Sequence, residues 1–446
     1  MSKKLVLAFS GGLDTSYCVA ALKEVGYEVH TYYVHSGSAD PEAEATIAAR
    51  ADELGAASHR TLNAGPALWD EIVVPFLAGG ARRQGRYPVL CADRYLIARL
   101  GVELANELGA EAIGHGCTGM GNDQVRFDVS LAALTDKPIF APIRDIQDKE
   151  NVREYEMAFL KERGFDVPER ASRFSVNENL LGATLSGGPI DEWQTPEEDA
   201  RVLTKVAAEW PKAPLTLKLR FENGVPISLD GQKMEGAALL KALNEALGPY
   251  GVGYDIYTGD TLVGLKGRIV FEAPGLAALE EAHTALCESV SSMAQNAFRR
   301  QVGAQWVDLV YDGRFYDPLR EDLEAYLSSS QSRVTGDVTL YTAGGRVNAV
   351  AIDSPFILKK KDSVYAQKAE WSGAEAEGFT RLSGQSTQLW RQVGEGAQSC
   401  LLRSMRSQPI CQPSWRWIAK TPPGPSHRMG PWWRRVAPDC PALISM

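Results

Sequence analysis

Ala8-Phe9-Ser10-Gly11-Gly12-Leu13-Asp14-Thr15-Ser16 is the stretch on which the reading of this chain turns. It overlaps the end of a short apolar run, Leu5–Phe9, that reads as a buried parallel strand, and it opens a helix expected over Ser16–Val25 and ended near Gly26. The two glycines let the backbone approach a ligand closely, and the serine and threonine hydroxyls add donors. The helix start contributes unpaired N–H groups and the positive end of the helix dipole. Together these suit a pyrophosphate group. A Walker loop would end in Gly-Lys-Ser/Thr, and this turn has no lysine.

Outward from that turn, the first 165 residues alternate strand and helix signals. A strand over Glu28–Val34 precedes a helix over Pro41–Leu54, and His59–Leu62 reads as a third strand. Ala92–Leu108 is a strongly periodic helix stopped at Gly109. Glu111–Gly114 leads into a second glycine-rich loop, and Lys137–Ile143 is read as another strand. Repeated βα units predict a parallel, doubly wound sheet with helices on both faces. From about residue 166 the pattern changes to α+β. Leu215–Phe221 and Val225–Leu229 flank the hairpin signal Asn223-Gly224. A helix over Gly236–Leu247, a strand over Leu262–Phe271, a long helix from Gly275 to about Arg300 and a helix over Asp317–Leu327 follow. Val338–Tyr341 and Val347–Ile352 then pair around Gly344-Gly345.

The chain has 446 residues, 44% hydrophobic and 23% charged, which excludes a disordered class and points to two or three domains. A net charge of −9 argues against a nucleic-acid coat or a membrane-surface protein. The apolar run after Met1-Ser-Lys-Lys is too short for a signal peptide, and no stretch is long enough to span a membrane, so a cytoplasmic location is expected. Seven scattered cysteines without Cys-x-x-Cys, and no His-Glu-x-x-His, predict reduced thiols and no dedicated metal site. Residues 397–446 differ in kind: eight prolines, four tryptophans and a net charge of +6, which leaves −15 for residues 1–396. Basic charge with interleaved tryptophans is a composition that can stack on nucleic acid. The segment shows no periodicity, however, and is read as an appended, disordered tail without function.

The second loop reads Gly114-His-Gly-Cys-Thr-Gly-Met-Gly-Asn-Asp-Gln-Val-Arg-Phe-Asp128. It satisfies G-x-G-x-x-G at Gly114, Gly116 and Gly119, but a dinucleotide fingerprint belongs at the first βα turn, which the other loop already occupies. Thr118, Asn122, Asp123 and Arg126 give it both anion donors and an acceptor for an ammonium group, a set that suits zwitterionic amino acids.

The first loop resembles that of the N-type ATP pyrophosphatases, whose Ser-Gly-Gly-x-Asp-Thr/Ser-Ser string binds the β and γ phosphates. The second is similar to the signature of the argininosuccinate synthases. Gly85-Arg-Tyr-Pro88, Phe174-Ser-Val-Asn-Glu-Asn-Leu180, Gly264-Leu-Lys-Gly-Arg268 and Phe271-Glu-Ala-Pro274 extend the likeness, in family order, over about residues 3–390. The resemblance implies an adenine nucleotide alpha hydrolase domain over 1–165 and an α+β synthetase and oligomerisation domain over 166–365. A C-terminal oligomerisation helix over 366–396, centred on Gly373–Gln392, would follow. It also implies ATP-dependent condensation of citrulline and aspartate in arginine biosynthesis, through citrullyl-AMP, with Mg²⁺ and in a homotetramer.

By the same resemblance Ala8, Phe9, Ser10, Gly11, Gly12, Leu13, Asp14, Thr15, Ser16, Val34 and Gly116 bind ATP. Thr118, Asn122 and Asp123 bind aspartate; Tyr87, Asn122, Arg126, Ser175 and Thr184 bind citrulline. Asp14, Asp123 and Arg126 are the catalytic candidates, and no resident metal ligands are expected. The chain departs from the family pattern at several places. Met120 stands where many members have lysine, His35-Ser-Gly-Ser38 replaces Asp-x-Gly-Gln, and Cys91-Ala92 replaces a Thr-Ser pair. Phe271 replaces a tyrosine, and Asp260 is the carboxylate nearest to a missing citrulline-binding glutamate. Cys117 and His115 read as a spectator thiol and a packing residue, and Lys359-Lys-Lys361 as a solvated turn. Two other readings keep the first loop: a tRNA-thiolating enzyme using Cys91 and Cys117, and a non-catalytic ATP sensor. The acidic first 396 residues argue against a nucleic-acid partner.

Overall fold

The computed structural model describes residues 3–37, 40–167, 174–198 and 200–405, with side chains to residue 395. The chain divides into a large unit ending at Lys359 and a second beginning at Lys360.

Five parallel strands form the first sheet: β1 (Lys3–Ala8), β2 (Tyr27–His35), β3 (Ser58–Asn63), β4 (Ala112–Gly114) and β5 (Ile139–Phe140), in the order β3-β2-β1-β4-β5. Leu5, Val6 and Leu7 of the central strand are wholly buried. A strand covered on both faces needs such an unbroken apolar run. Leu5 and Leu7 pack on Tyr17, Cys18 and Leu22 of the helix Leu13–Glu24 and on Leu160 of the helix Val152–Glu162. Val6 packs on the opposite face, against Ala98 and Val102 of Asp93–Leu108 and Leu131 of Asp123–Leu134. The sheet is therefore doubly wound. Its fifth strand is shorter than expected from Lys137–Ile143, because Pro142 opens a 3₁₀ turn over Pro142–Ile146.

The remainder of the large unit is antiparallel. The hairpin β6 (Ser175–Asn179) and β7 (Gly182–Ser186) joins β11 (Tyr254–Asp260) and β12 (Lys266–Glu272) in the order β11-β12-β7-β6. A second sheet takes β8 (Leu215–Glu222), β9 (Val225–Leu229), β10 (Gln232–Lys233), β13 (Gly336–Gly344) and β14 (Arg346–Asp353). Asn223 and Gly224 turn β8 into β9 with φ of +49° and +82°, the left-handed pair that a tight hairpin requires. The strand expected over Leu262–Phe271 begins only at Lys266, since Thr261 and Leu265 close a turn through backbone and hydroxyl bonds.

The long helix expected from Gly275 to Arg300 is two helices, Pro274–Val290 and Met293–Tyr311. Ser291 caps the end of one, and Ser292 starts the other through a capping box with Gln295. In the second unit the helix expected over Gly373–Gln392 is likewise two, Gly373–Ser383 and Gln385–Met405, parted at Gly384. The second runs into the segment read as an unstructured tail, so that expectation fails for 397–405; residues 406–446 lie outside the described residues.

Candidate active site

β1 and β4 are neighbours, yet the chain leaves them toward opposite edges of the sheet. Such a switch point opens a crevice beyond the carboxyl ends of the strands, where ligands of open α/β sheets bind. Both glycine-rich loops stand there. Gly11 turns with φ +78°, its missing side chain facing Ile47. Gly12 caps the helix Leu13–Glu24 without any side-chain capping bond, and the first helical bond is Ser16 N to Gly12 O at 2.9 Å. The preceding N–H groups are left for a ligand. Ser10 and Thr15 hydroxyls stand 3.4 Å apart, and the Thr15 hydroxyl donates to Gly12 O at 3.3 Å. Across the crevice, a Cβ at Gly116 would lie 2.9 Å from Thr15 Cγ2, so the two loops touch backbone to side chain.

One cleft of about 1310 Å³ takes in both loops and the wall beyond them. It exceeds the roughly 300–1,000 Å³ of a single small-molecule pocket, leaving room for more than one substrate. Every site residue expected from sequence lines it except Gly11 and Ser16. The Ser16 side chain is buried one turn into the helix, accepting from Arg50 Nε at 3.3 Å. Asp14 does face the cleft; burial pushes its carboxyl up, against the opposing pull of Arg153.

The second loop is stiffened from below. His115, wholly buried, accepts from Cys117 N at Nδ1 (3.2 Å), so its Nε2 carries the proton donated to Asp128 at 2.8 Å. Its ring stacks on Phe127 with centroids 5.3 Å apart. Asp123 lies between two guanidinium groups, Arg126 Nη1 at 2.7 Å and Arg94 Nε at 3.1 Å. Burial works to raise its pKa, but the two arginines prevail and hold it at about 2. Arg94 also pairs with Asp93 at 2.7 Å and donates to Asn177 at 3.0 Å. Arg126 donates to Tyr311 O through Nε and Nη2, and Asn122 bridges the Tyr311 hydroxyl and Leu262 N.

The far wall is aromatic. Tyr87 stacks on Tyr257 with ring centroids 5.2 Å apart and meets Phe271 and Tyr311 edge-on. Ser175 and Thr184 sit on the β6–β7 hairpin, where Thr184 pairs with Asn177. Asp260, the carboxylate nearest in sequence to the missing glutamate, is half exposed, bonded to Lys266 and Gln84, and outside the cleft lining. Burial pushes the thiols of Cys91 and Cys117 up. Arg94, Tyr257 and Tyr311 are cleft residues that sequence reasoning missed, each an ordinary member of a helix or strand pattern.

A phosphate loop at the switch point of a 3-2-1-4-5 parallel sheet, opening into a multi-substrate cleft, defines a nucleotide-dependent enzyme of the HUP class. Sequence models described as the arginosuccinate synthase N-terminal HUP domain and C-terminal domain match residues 4–166 and 174–390. An argininosuccinate synthase of Xanthomonas campestris pv. campestris is 52% identical over 393 residues, covering 88% of this chain and 99% of its own. That of Xylella fastidiosa is 50% identical over 399 residues (89% and 100% covered). That of Methanocaldococcus jannaschii is 35% identical over 394 residues (87% and 98%). This chain belongs to the argininosuccinate synthase family.

Proposed function

We infer that the chain condenses citrulline and aspartate to argininosuccinate, cleaving ATP to AMP and pyrophosphate. The meeting of the phosphate loop and the Thr118–Arg126 loop at one switch point, in a cleft large enough for three substrates, carries this reading. The ureido oxygen of citrulline attacks the α-phosphorus and pyrophosphate leaves; the aspartate amine then displaces AMP. Ala8–Ser16, Val34 and Gly116 take the nucleotide, with Gly11 shaping the turn and Ser16 anchoring it through Arg50. Thr118, Asn122 and Asp123 take aspartate. Tyr87, Asn122, Arg126, Ser175 and Thr184 take citrulline. Holding the reactants together turns a ternary encounter into an intramolecular one.

Asp123 at about 2 is too weak a base to deprotonate the aspartate amine, so that proton passes to a phosphate oxygen. Mg²⁺ fits as a counter-ion arriving on the nucleotide. Among the described residues no group of three carboxylate, histidine or cysteine side chains is placed to hold a metal alone, and Asp14 is the phosphate loop's one carboxylate. When bound, the ion offsets phosphate charge.

Burial that keeps Cys91 and Cys117 protonated disfavours a thiolating role. Exposed Phe379, Leu382, Leu389 and Trp390 on the C-terminal helices support a homotetrameric assembly, testable by light scattering. Among the described residues no helix is long and apolar enough to cross a membrane.

The test is pyrophosphate release from Mg-ATP with both amino acids, then with each omitted. Citrulline-dependent release, with argininosuccinate formed only when aspartate is added, is the expected result. A folded protein that binds ATP and releases nothing would make it a sensor.

A further inference from the structure

Tyr87, the aromatic residue assigned to citrulline above, ends a tight turn whose conformation is unusual. Arg83 N donates to Tyr87 O at 2.9 Å and Tyr87 N returns to Arg83 O at 3.1 Å, closing a three-residue loop of Gln84, Gly85 and Arg86. Gln84 and Gly85 are left-handed, with φ +50° and +72°. Glycine adopts that region freely; glutamine does so only when its surroundings hold it there. What holds Gln84 is its own side chain. Its Oε1 accepts from the Tyr257 hydroxyl at 2.8 Å, and its Nε2 donates to Asp260 at 2.9 Å. Both partners lie on β11, distant in sequence.

Tyr257 also stacks on Tyr87, and it determines its neighbour. Gly259 stands two residues along the same strand, and a Cβ there would overlap the Tyr257 hydroxyl and ring. The backbone of Gly259 is not left-handed, so the tyrosine ring, not the main chain, demands glycine. The ring cannot swing aside cheaply, because Gln84 binds one end of it and Tyr87 covers its face.

We propose that Tyr257, Gln84 and Gly259 form a positioning clip that fixes Tyr87 in the cleft and thereby sets the fit of the amino-acid acceptor. The assignment rests on the reading of citrulline as that acceptor. Tyr257 acts through Tyr87 and the turn; its hydroxyl and ring meet Gln84, Arg83, Tyr87 and Tyr311, none of which is assigned to the nucleotide. Weakening the clip therefore changes acceptor binding selectively.

Tyr257→Phe keeps the ring and removes the hydroxyl that bonds Gln84, together with its contacts to Arg83 and Tyr311; Gln84→Gly removes only the two clip bonds and relieves the left-handed strain. Each is expected to raise KM for citrulline about fivefold or more, the loss of roughly one hydrogen bond, with KM for ATP within about twofold and kcat little changed. Gly259→Ala, which drives the ring off its seat, does the same more strongly. Substrate-resolved KM values are measured on the full chain, with thermal midpoints recorded beside them. Citrulline KM unchanged in both Tyr257→Phe and Gln84→Gly, or ATP and aspartate KM rising equally, overturns the clip. An unmutated chain without citrulline-dependent pyrophosphate release overturns the acceptor assignment instead, a result separable from failure of the clip because the latter leaves the unmutated chain active.

Discussion

The contact between the two glycine-rich loops gives the sharpest prediction. Gly116 has no positive φ, so alanine strains no backbone there; the only obstacle is the methyl of Thr15, which the new Cβ would meet at 2.9 Å. Carbon atoms in good contact lie about 3.5–4.0 Å apart, so the loops must part by about 0.8 Å. Overpacking a close contact costs about 1–3 kcal/mol. If that cost falls on the ATP-competent arrangement of the loops, affinity drops by about fivefold to a hundredfold. Thr15→Ser removes the obstructing methyl and keeps the hydroxyl that bonds Gly12 and faces Ser10. The double variant Thr15→Ser/Gly116→Ala should therefore bind ATP within about threefold of the unmutated chain, a coupling that distant sites do not show. Titration calorimetry with ATP alone reads the affinity, and a thermal midpoint within a few degrees shows that the fold is kept. Gly116→Ala binding ATP normally, or Thr15→Ser failing to rescue it, would refute the claim that this contact sets the nucleotide seat.

Three further outcomes follow from the charges around the cleft. Asp123→Asn should raise KM for aspartate and leave the pH dependence of the second step unshifted between about pH 6 and 9, because a carboxyl held at about 2 does not titrate there; a shifted alkaline or acid limb in single-turnover assays would make it the base. Arg94→Ala leaves Asp93 unpaired and strips one of two cations from Asp123, which should lower stability by about 3 kcal/mol and abolish argininosuccinate formation before ATP binding is lost; denaturant titration and ATP binding separate the two. Glu156, 1% exposed with both carboxylate oxygens unpartnered beneath the phosphate loop, keeps its proton to about pH 8 because burial, and then the charge of Asp14, push it up. The unfolded chain loses that proton near the ordinary value of 4.5, so the folded state binds more protons in between and stability falls as pH rises from about 4.5 to 8. Glu156→Gln should flatten that fall, giving a higher midpoint than the unmutated chain at pH 8 and little difference at pH 5; equal slopes would count against it.

The features legible in the sequence are those whose cause is local. Leu5–Leu7 is apolar because both faces of its strand are covered, and that fact is written in consecutive letters. Gly11 and Asn223-Gly224 announce turns because their left-handed backbones favour those residue types. Even the missed helix break had a local sign: Ser292 and Gln295 are a capping box, but apolar periodicity on both sides hid the boundary. The β6 strand, Ser-Val-Asn-Glu-Asn, is mostly exposed and reads as a loop; only its pairing with β7 makes it a strand.

The cleft is a different matter, because its polar groups are set by partners far away in the chain. Nothing near Arg94 says that a residue 29 positions on will meet it, or that together with Arg126 it will fix the charge of Asp123. Asp260, the carboxylate nearest in sequence to the missing glutamate, is held by Lys266 and Gln84 and does not line the cleft. The space where a longer side chain at 259 would project is filled by Tyr257 from the same strand. The energetic consequence of glycine at 259 therefore lies in the positioning of Tyr87, against which the Tyr257 ring is held.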